Sequence, residues 1–206
     1  MAITNGYVTL AQLKTYLGLS GSGQDDNLEN AVEAASREID AYCGRYFYQS
    51  SSDTKYFTPI NPLYLDVPDI STPSGLAVLI DTSDDGTHDT TLTIDTDFYT
   101  KPLDAGNDVQ GVQYQPITNI SILDTRSSER FDTTIVKQVK ITAQWGWSAV
   151  PQAIEQATLL QATRLFKRKD SPFAIYGNPE TGTAELFSKF DPDALKLIKA
   201  YQKRTL

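Results

Sequence analysis

The chain has 206 residues, 40% of them hydrophobic, and its 18 Lys+Arg against 26 Asp+Glu leave a net charge of −8. That length allows one domain or two small ones with a real core, and the acidic balance argues against coating nucleic acid or docking on anionic lipid. One His (His88) and one Cys (Cys43) exclude an intrachain disulfide framework and a Cys/His zinc cluster. No apolar run reaches spanning-helix length and no basic-then-apolar export signal opens the chain, so the expectation is a soluble protein with no membrane partner.

The charge is unevenly spread: residues 1–130 hold seven basic and 19 acidic residues, whereas 131–206 hold eleven basic and seven acidic. Thr9-Leu-Ala-Gln12 reads as a capping box, Leu10, Leu13 and Leu17 follow at helical spacing, and Gly18 suits a left-handed stop, which predicts a helix over about 9–17. Asp25 or Asp26 caps a second helix over about 26–43, in which Leu28, Ala31, Val32, Ala35, Ile39, Tyr42 and Cys43 fall on one arc. From about 54 to 147 the period changes to short β-branched or aromatic runs. They are Tyr56-Phe57, 63–65, 76–80, 92–94, Phe98-Tyr99, 120–122 and 139–143, with turn residues such as Asn61-Pro62, Pro68-Asp69, Pro73-Ser-Gly75 and Asp84-Asp-Gly86 between them. This is the signature of a small antiparallel sheet or barrel.

Val150-Pro151 restarts helix. Ile154, Ala157, Leu159, Leu160, Ala162, Leu165 and Phe166 are spread nearly all round it, so one side is expected to meet another subunit. Ser171-Pro172 breaks it, 174–190 reads as a loop or hairpin, and Asp191-Pro192 opens a final helix to about 203. That helix has an apolar side (Ala194, Leu197, Ile198, Tyr201) and a basic side (Lys196, Lys199, Lys203). The expected fold is α+β: a small helical bundle of about four helices, from 1–50 and 148–206, interrupted by an antiparallel β insertion at 51–147.

The chemical candidates are few. Asp81-Thr-Ser-Asp-Asp-Gly86 resembles half a calcium loop, but position twelve is Leu92, so it reads more simply as an acidic hairpin turn. His88 has no local nucleophile or orienting partner, and Cys43 reads as a small buried hydrophobe. Trp145 and Trp147 read as aromatics that close the core, with a sugar-stacking platform as the alternative. Lys167-Arg168-Lys169 either complements a helix C-terminus or binds phosphate. No catalytic residue, metal ligand or cofactor is expected.

Two blocks together are similar to the tailed-phage head–tail connector (adaptor, or head-completion) family. One is Tyr7-Val-Thr-Leu-Ala-Gln-Leu-Lys-Thr-Tyr-Leu-Gly18, followed by Asp25-Asp26 and Ile39-Asp-Ala-Tyr-Cys-Gly-Arg45. The other runs from Val139-Lys-Ile-Thr-Ala-Gln-Trp-Gly-Trp147 through Val150-Pro151 and Ala162–Arg168 to Asp170-Ser-Pro-Phe173. Together they cover about 1–48 and 138–206. The resemblance implies a non-enzymatic virion structural protein: a homo-oligomeric ring, usually of twelve copies, assembled in the host cytoplasm. Such a ring docks under the portal protein, extends the DNA exit channel and joins the head to the next connector (stopper) or tail component. DNA passes without sequence-specific binding.

On this reading Lys196, Lys199, Tyr201, Lys203 and Arg204 bind the portal, and Ile39, Tyr42, Ile154, Leu159 and Phe166 meet neighbouring copies. Truncation after Phe190 is expected to leave a folded protein unable to bind portal. The alternative is a β-type module that recognises glycan or protein through Trp145 and Trp147.

Overall fold

The computed structural model describes residues 3–107, 112–168 and 190–203, together with the backbone of two short paired strands, Ile175–Tyr176 and Glu185–Leu186. By its internal contacts the chain forms two compact units: Met1–Tyr46 with Val150–Leu206, and Phe47–Ala149.

The first unit holds α1 (Leu10–Leu17), α2 (Asp25–Cys43), α3 (Gln152–Arg168) and α4 (Pro192–Ile198), which runs into a 3₁₀ turn at Lys199–Tyr201. The capping box at Thr9 and Gln12 forms, and Gly18 closes α1 at φ 65°. Neither Asp25 nor Asp26 caps α2. The cap is Gln24, without a side-chain bond, and the two aspartates lie in the first turn, where they face the positive end of the helix dipole. Asp191 caps α4 by accepting from the Asp193 and Ala194 N–H groups. This helix is shorter than its periodicity suggests, because the chain tightens to 3₁₀ and is extended by Gln202.

α3 packs against α1, α2 and α4. Leu159, Leu165 and Phe166 lie against the cluster of Val8, Leu13, Leu28, Val32 and Ala162. The apolar breadth of α3 is thus largely used inside the subunit, which weakens the inference that it needs a neighbouring copy. Two buried polar residues brace it. Thr158 donates to the Ile154 carbonyl (2.7 Å), and the Gln161 carboxamide bridges Glu38 on α2 (2.6 Å) and the Asp191 N–H (3.0 Å).

The second unit is a seven-stranded sheet of β1 (Gln49–Phe57), β2 (Tyr64–Ile70), β3 (Ala77–Ile80), β4 (Thr90–Leu92), β5 (Phe98–Lys101), β6 (Ile117–Ile122) and β7 (Val139–Gly146). All strand pairings are antiparallel, in the order β4-β3-β7-β2-β6-β5, with β1 also on β7. β7 is the hub: β1 runs along its length, while β3 and β2 divide its other side. Six strands span about 24 Å at the usual spacing, yet the end strands β4 and β5 are joined by the hydrogen-bonded turn 93–97. The sheet must therefore curl towards a barrel. Pro68-Asp69 is not a turn but part of β2, where register shifts between Asp66 and Ile70; a proline lacking its N–H is tolerated at such an irregularity. No helix among the described residues is long and apolar enough to cross a membrane.

Candidate functional site

Each candidate for chemistry is occupied structurally. Asp81 is 2% exposed, and its carboxylate accepts the N–H groups of Ser83 (3.0 Å), Asp84 (2.8 Å) and Gly86 (2.8 Å). Burial pushes its pKa up, but the backbone donors of Gly86, Ser83, Asp84 and Asp85 outweigh burial and hold it below the ordinary 3.8. The segment is therefore a turn folded around an ionised side chain. Because the folded pKa is depressed, this stabilisation is full above 3.8 and is lost as pH falls through the lower folded value. Asp81→Asn is expected to lower the urea midpoint at pH 7, with the gap from the parent closing at pH 3. An equal gap at both pH values would refute the role.

His88 Nε2 donates to the Lys137 carbonyl (2.9 Å), and its ring lies 5.4 Å from that of Tyr56; it pins two loops. Cys43 is buried, and burial pushes its thiol up to about 12, which makes it a poor nucleophile.

The glycan reading fails on burial. Trp145 is 1% and Trp147 0% exposed. Lys55 Nζ sits 4.2 Å from the Trp145 ring centre, and that indole donates to the Asp53 carbonyl (3.0 Å). Trp147 packs at a tilt against Phe47 (5.0 Å between ring centres) and donates to Asp69 Oδ2 (3.0 Å). Neither ring offers a face to a sugar.

The expected assembly residues divide. Ile39 and Ile154 are 0% exposed inside their own unit and serve the subunit core, not a neighbouring copy; Tyr42, Leu159 and Phe166 are half-buried. Tyr42 packs at a tilt against Phe190 (5.9 Å between ring centres). Beside Leu159 runs an apolar groove between α1 and α3, lined also by Ala11, Gln12, Thr15 and Tyr16. Of the expected portal contacts, Lys196, Lys199 and Lys203 are exposed. Tyr201, at 3% exposure, belongs to the core, and Arg204 lies outside the described residues. The Lys203 N–H donates to the Cys43 carbonyl (2.8 Å), an end group of α2 that would otherwise lack a partner, so the basic segment is anchored at the end of that helix. Lys167 and Arg168 are exposed in the last turn of α3, as the helix dipole favours, and Lys169 lies outside the described residues.

Charge follows the two units more sharply than it follows chain order. The helical unit holds twelve acidic and twelve basic residues, whereas the sheet unit holds 14 acidic and six basic, so the whole −8 lies in the sheet unit.

The helical unit thus carries exposed lysines and the sheet unit the acidic excess, and no group of three metal-ligating side chains occurs among the described residues. Residues 7–80 match the family described as Phage gp6-like head-tail connector protein, a family of virion components rather than enzymes. The match runs from α1 through β3, beyond the N-terminal block that carries the resemblance in sequence, and does not include the C-terminal block. No curated protein matches significantly. Among solved structures, the fold is similar to a chain in the neck of an empty GTA particle computed with C6 symmetry (TM-score 0.56, 15% identity) and in the neck of a native GTA particle computed with C12 symmetry (0.55, 15%). It is also similar to one in the virion of a native gene transfer agent particle (0.53, 16%), and in all three cases the likeness covers 100% of this chain and 94% of the other. The family match spans 74 of the 206 residues, and the likeness to the neck and virion chains, at 15–16% identity, is one of fold.

Proposed function

We propose that copies of this chain form an adaptor ring that docks under the portal, extends the DNA exit channel and joins the head to the next connector or tail component. The observation that carries this reading is the likeness over the full chain to a subunit of a neck computed with C12 symmetry, and a ring of twelve is the expected stoichiometry. Heterologous contacts close such a ring. Tyr42, Leu159 and Phe166, with Tyr16 beside the α1–α3 groove, are the half-buried or exposed apolar residues available to a neighbouring copy. The exposed Lys196, Lys199 and Lys203 meet an acidic rim on the portal. The acidic sheet unit repels phosphate, so DNA slides without sequence-specific binding.

Purified portal mixed with this protein, imaged by electron microscopy, is expected to show a ring on one face. The Lys196→Glu/Lys199→Glu/Lys203→Glu protein is expected to stay folded, since all three side chains are exposed, with a small loss of stability from acidic groups at the C-terminal end of α4. It should bind portal at least about tenfold more weakly, a change of about 1.4 kcal/mol. Absence of a ring with the parent protein overturns the adaptor reading; unchanged affinity of the variant overturns only the assignment of this face.

A further inference from the structure

The strand order leaves the sheet three edges: β4, β5 and the outer side of β1. β4 and β5 are only three and four residues long and are joined by a turn. β1 has nine residues, about 30 Å at the usual rise, and no second strand pairs with it among the described residues. It holds no proline, and four of its residues are Ser or Thr, whose small side chains leave the backbone within reach. An open edge of this length is a template for pairing with another chain.

Two hydrogen bonds fix which way that edge faces. The Asp53 carbonyl accepts from the Trp145 indole of β7 (3.0 Å) and so points at β7. The Thr54 N–H belongs to the same planar trans peptide and points the opposite way, off the edge. There it donates to the Asp53 carboxylate (2.8 Å). Because backbone groups alternate sides along a strand, the outward ones belong to Ser52, Thr54 and Tyr56. Asp53 therefore occupies, from its own strand, the middle donor that an added strand would need.

The core-side face of β1 carries a second obstacle. Asp53, Lys55 and Phe57 lie opposite Ala143, Ile141 and Val139, all buried, so they stand on the core side of the sheet. Lys55 Nζ lies 4.2 Å from the centre of the Trp145 ring. A strand added about 4.8 Å beyond β1 would set its own core-side residues against these two charges and take water from them, which is unfavourable without a partner for each. Charges turned inward on an edge strand are a common defence against pairing.

We propose that Asp53 and Lys55 are guard residues that keep β1 unpaired, so that a second copy of this chain does not add its own edge strand there. A second copy is the partner excluded, because every copy offers the same long edge. Asp53 acts on the backbone donor and Lys55 on the face that pairing would bury. The role concerns the chain's own backbone edge and stands apart from the adaptor reading.

The test is Asp53→Thr/Lys55→Thr, which removes one acid and one base and so leaves the net charge at −8. Association gained by this variant is therefore not relief of charge repulsion. By sedimentation equilibrium it is expected to self-associate at least about tenfold more tightly than the parent in the same buffer. Its Ser52 and Tyr56 amides, followed by hydrogen exchange, should slow as protein concentration rises, whereas those of the parent keep one rate. Association no tighter than the parent's overturns the proposal. Tighter association without slowing at these amides also overturns it, because the contact then lies elsewhere. Lys55→Thr alone decides the case in which the double variant does not fold. With 17 basic against 26 acidic residues it carries −9, yet it should associate more tightly than the parent and slow the same amides. Equal or weaker association of that variant overturns the guard.

Discussion

A chain ending at Phe190 is expected to lose its helical unit, not merely its grip on a partner. The deleted segment supplies Ala194 and Ile198, both 0% exposed, and Tyr201 at 3%. It also caps α2 through the Lys203 N–H and provides the Asp191 N–H to the buried Gln161. Burying the Ile and Tyr side chains contributes about 1.5–3 kcal/mol each, and a buried amide left without its donor costs about 1–3 kcal/mol more. The loss approaches the whole stability of a domain, roughly 5–15 kcal/mol. Far-UV circular dichroism should fall and the cooperative melt of this unit should vanish. A truncated protein that melts within about 5 °C of the parent, a shift worth roughly 1 kcal/mol in a unit of this size, would contradict the packing described. The expectation that this truncation leaves a folded, binding-deficient protein is therefore replaced. Portal contacts are better probed by the exposed lysines, which change no core residue.

Trp147→Ala is expected to destabilise the sheet unit by about 3–5 kcal/mol, the usual cost of removing a buried indole. The residue is 0% exposed, packs at a tilt against Phe47, and bonds Asp69 on β2 through its ring N–H. It thereby ties the chain after β7 to the kinked strand. Trp147→Phe keeps most of the apolar volume and loses the Asp69 bond, so it should fall between parent and alanine. Trp145, the one remaining tryptophan in either variant, reports the transition by fluorescence in a urea titration. An alanine variant within about 1 kcal/mol of the parent would mean that the indole is not a core element.

Much of this architecture was legible because periodicity exposes which face of a segment is apolar. The runs at 56–57, 63–65, 76–80, 92–94, 98–99, 120–122 and 139–143 all fall in or beside strands, and the Thr9–Gln12 box caps its helix. What covers an apolar face is a long-range fact that periodicity does not carry. Ile39 and Ile154 read equally well as core or as interface, and only the packed helices show them to be core. Tyr201 sat on the apolar side of the last helix in the sequence reading, and its burial follows from that. Adjacency to the lysines in sequence does not place it on their face of the helix. Pro68-Asp69 read as punctuation because a proline inside a strand is rare, and a shift in register is the circumstance that permits it. Gln161 carries no signal of its buried role in the sequence, because a polar residue in a helix normally faces water.

The confinement of the whole −8 to the sheet unit has a consequence for self-association. Each added copy brings the same uncompensated charge to its neighbours, and the work of gathering like charges grows with every copy added. At about 0.1 M salt such repulsion reaches only about 10 Å, so it acts between adjacent sheet units more than across a wide circle. Closure of the proposed ring is therefore expected to be opposed in dilute buffer and eased by counterions or by a basic partner that neutralises the sheet unit. In the proposed ring, the charge would thus act as a brake on assembly that a compensating surface releases.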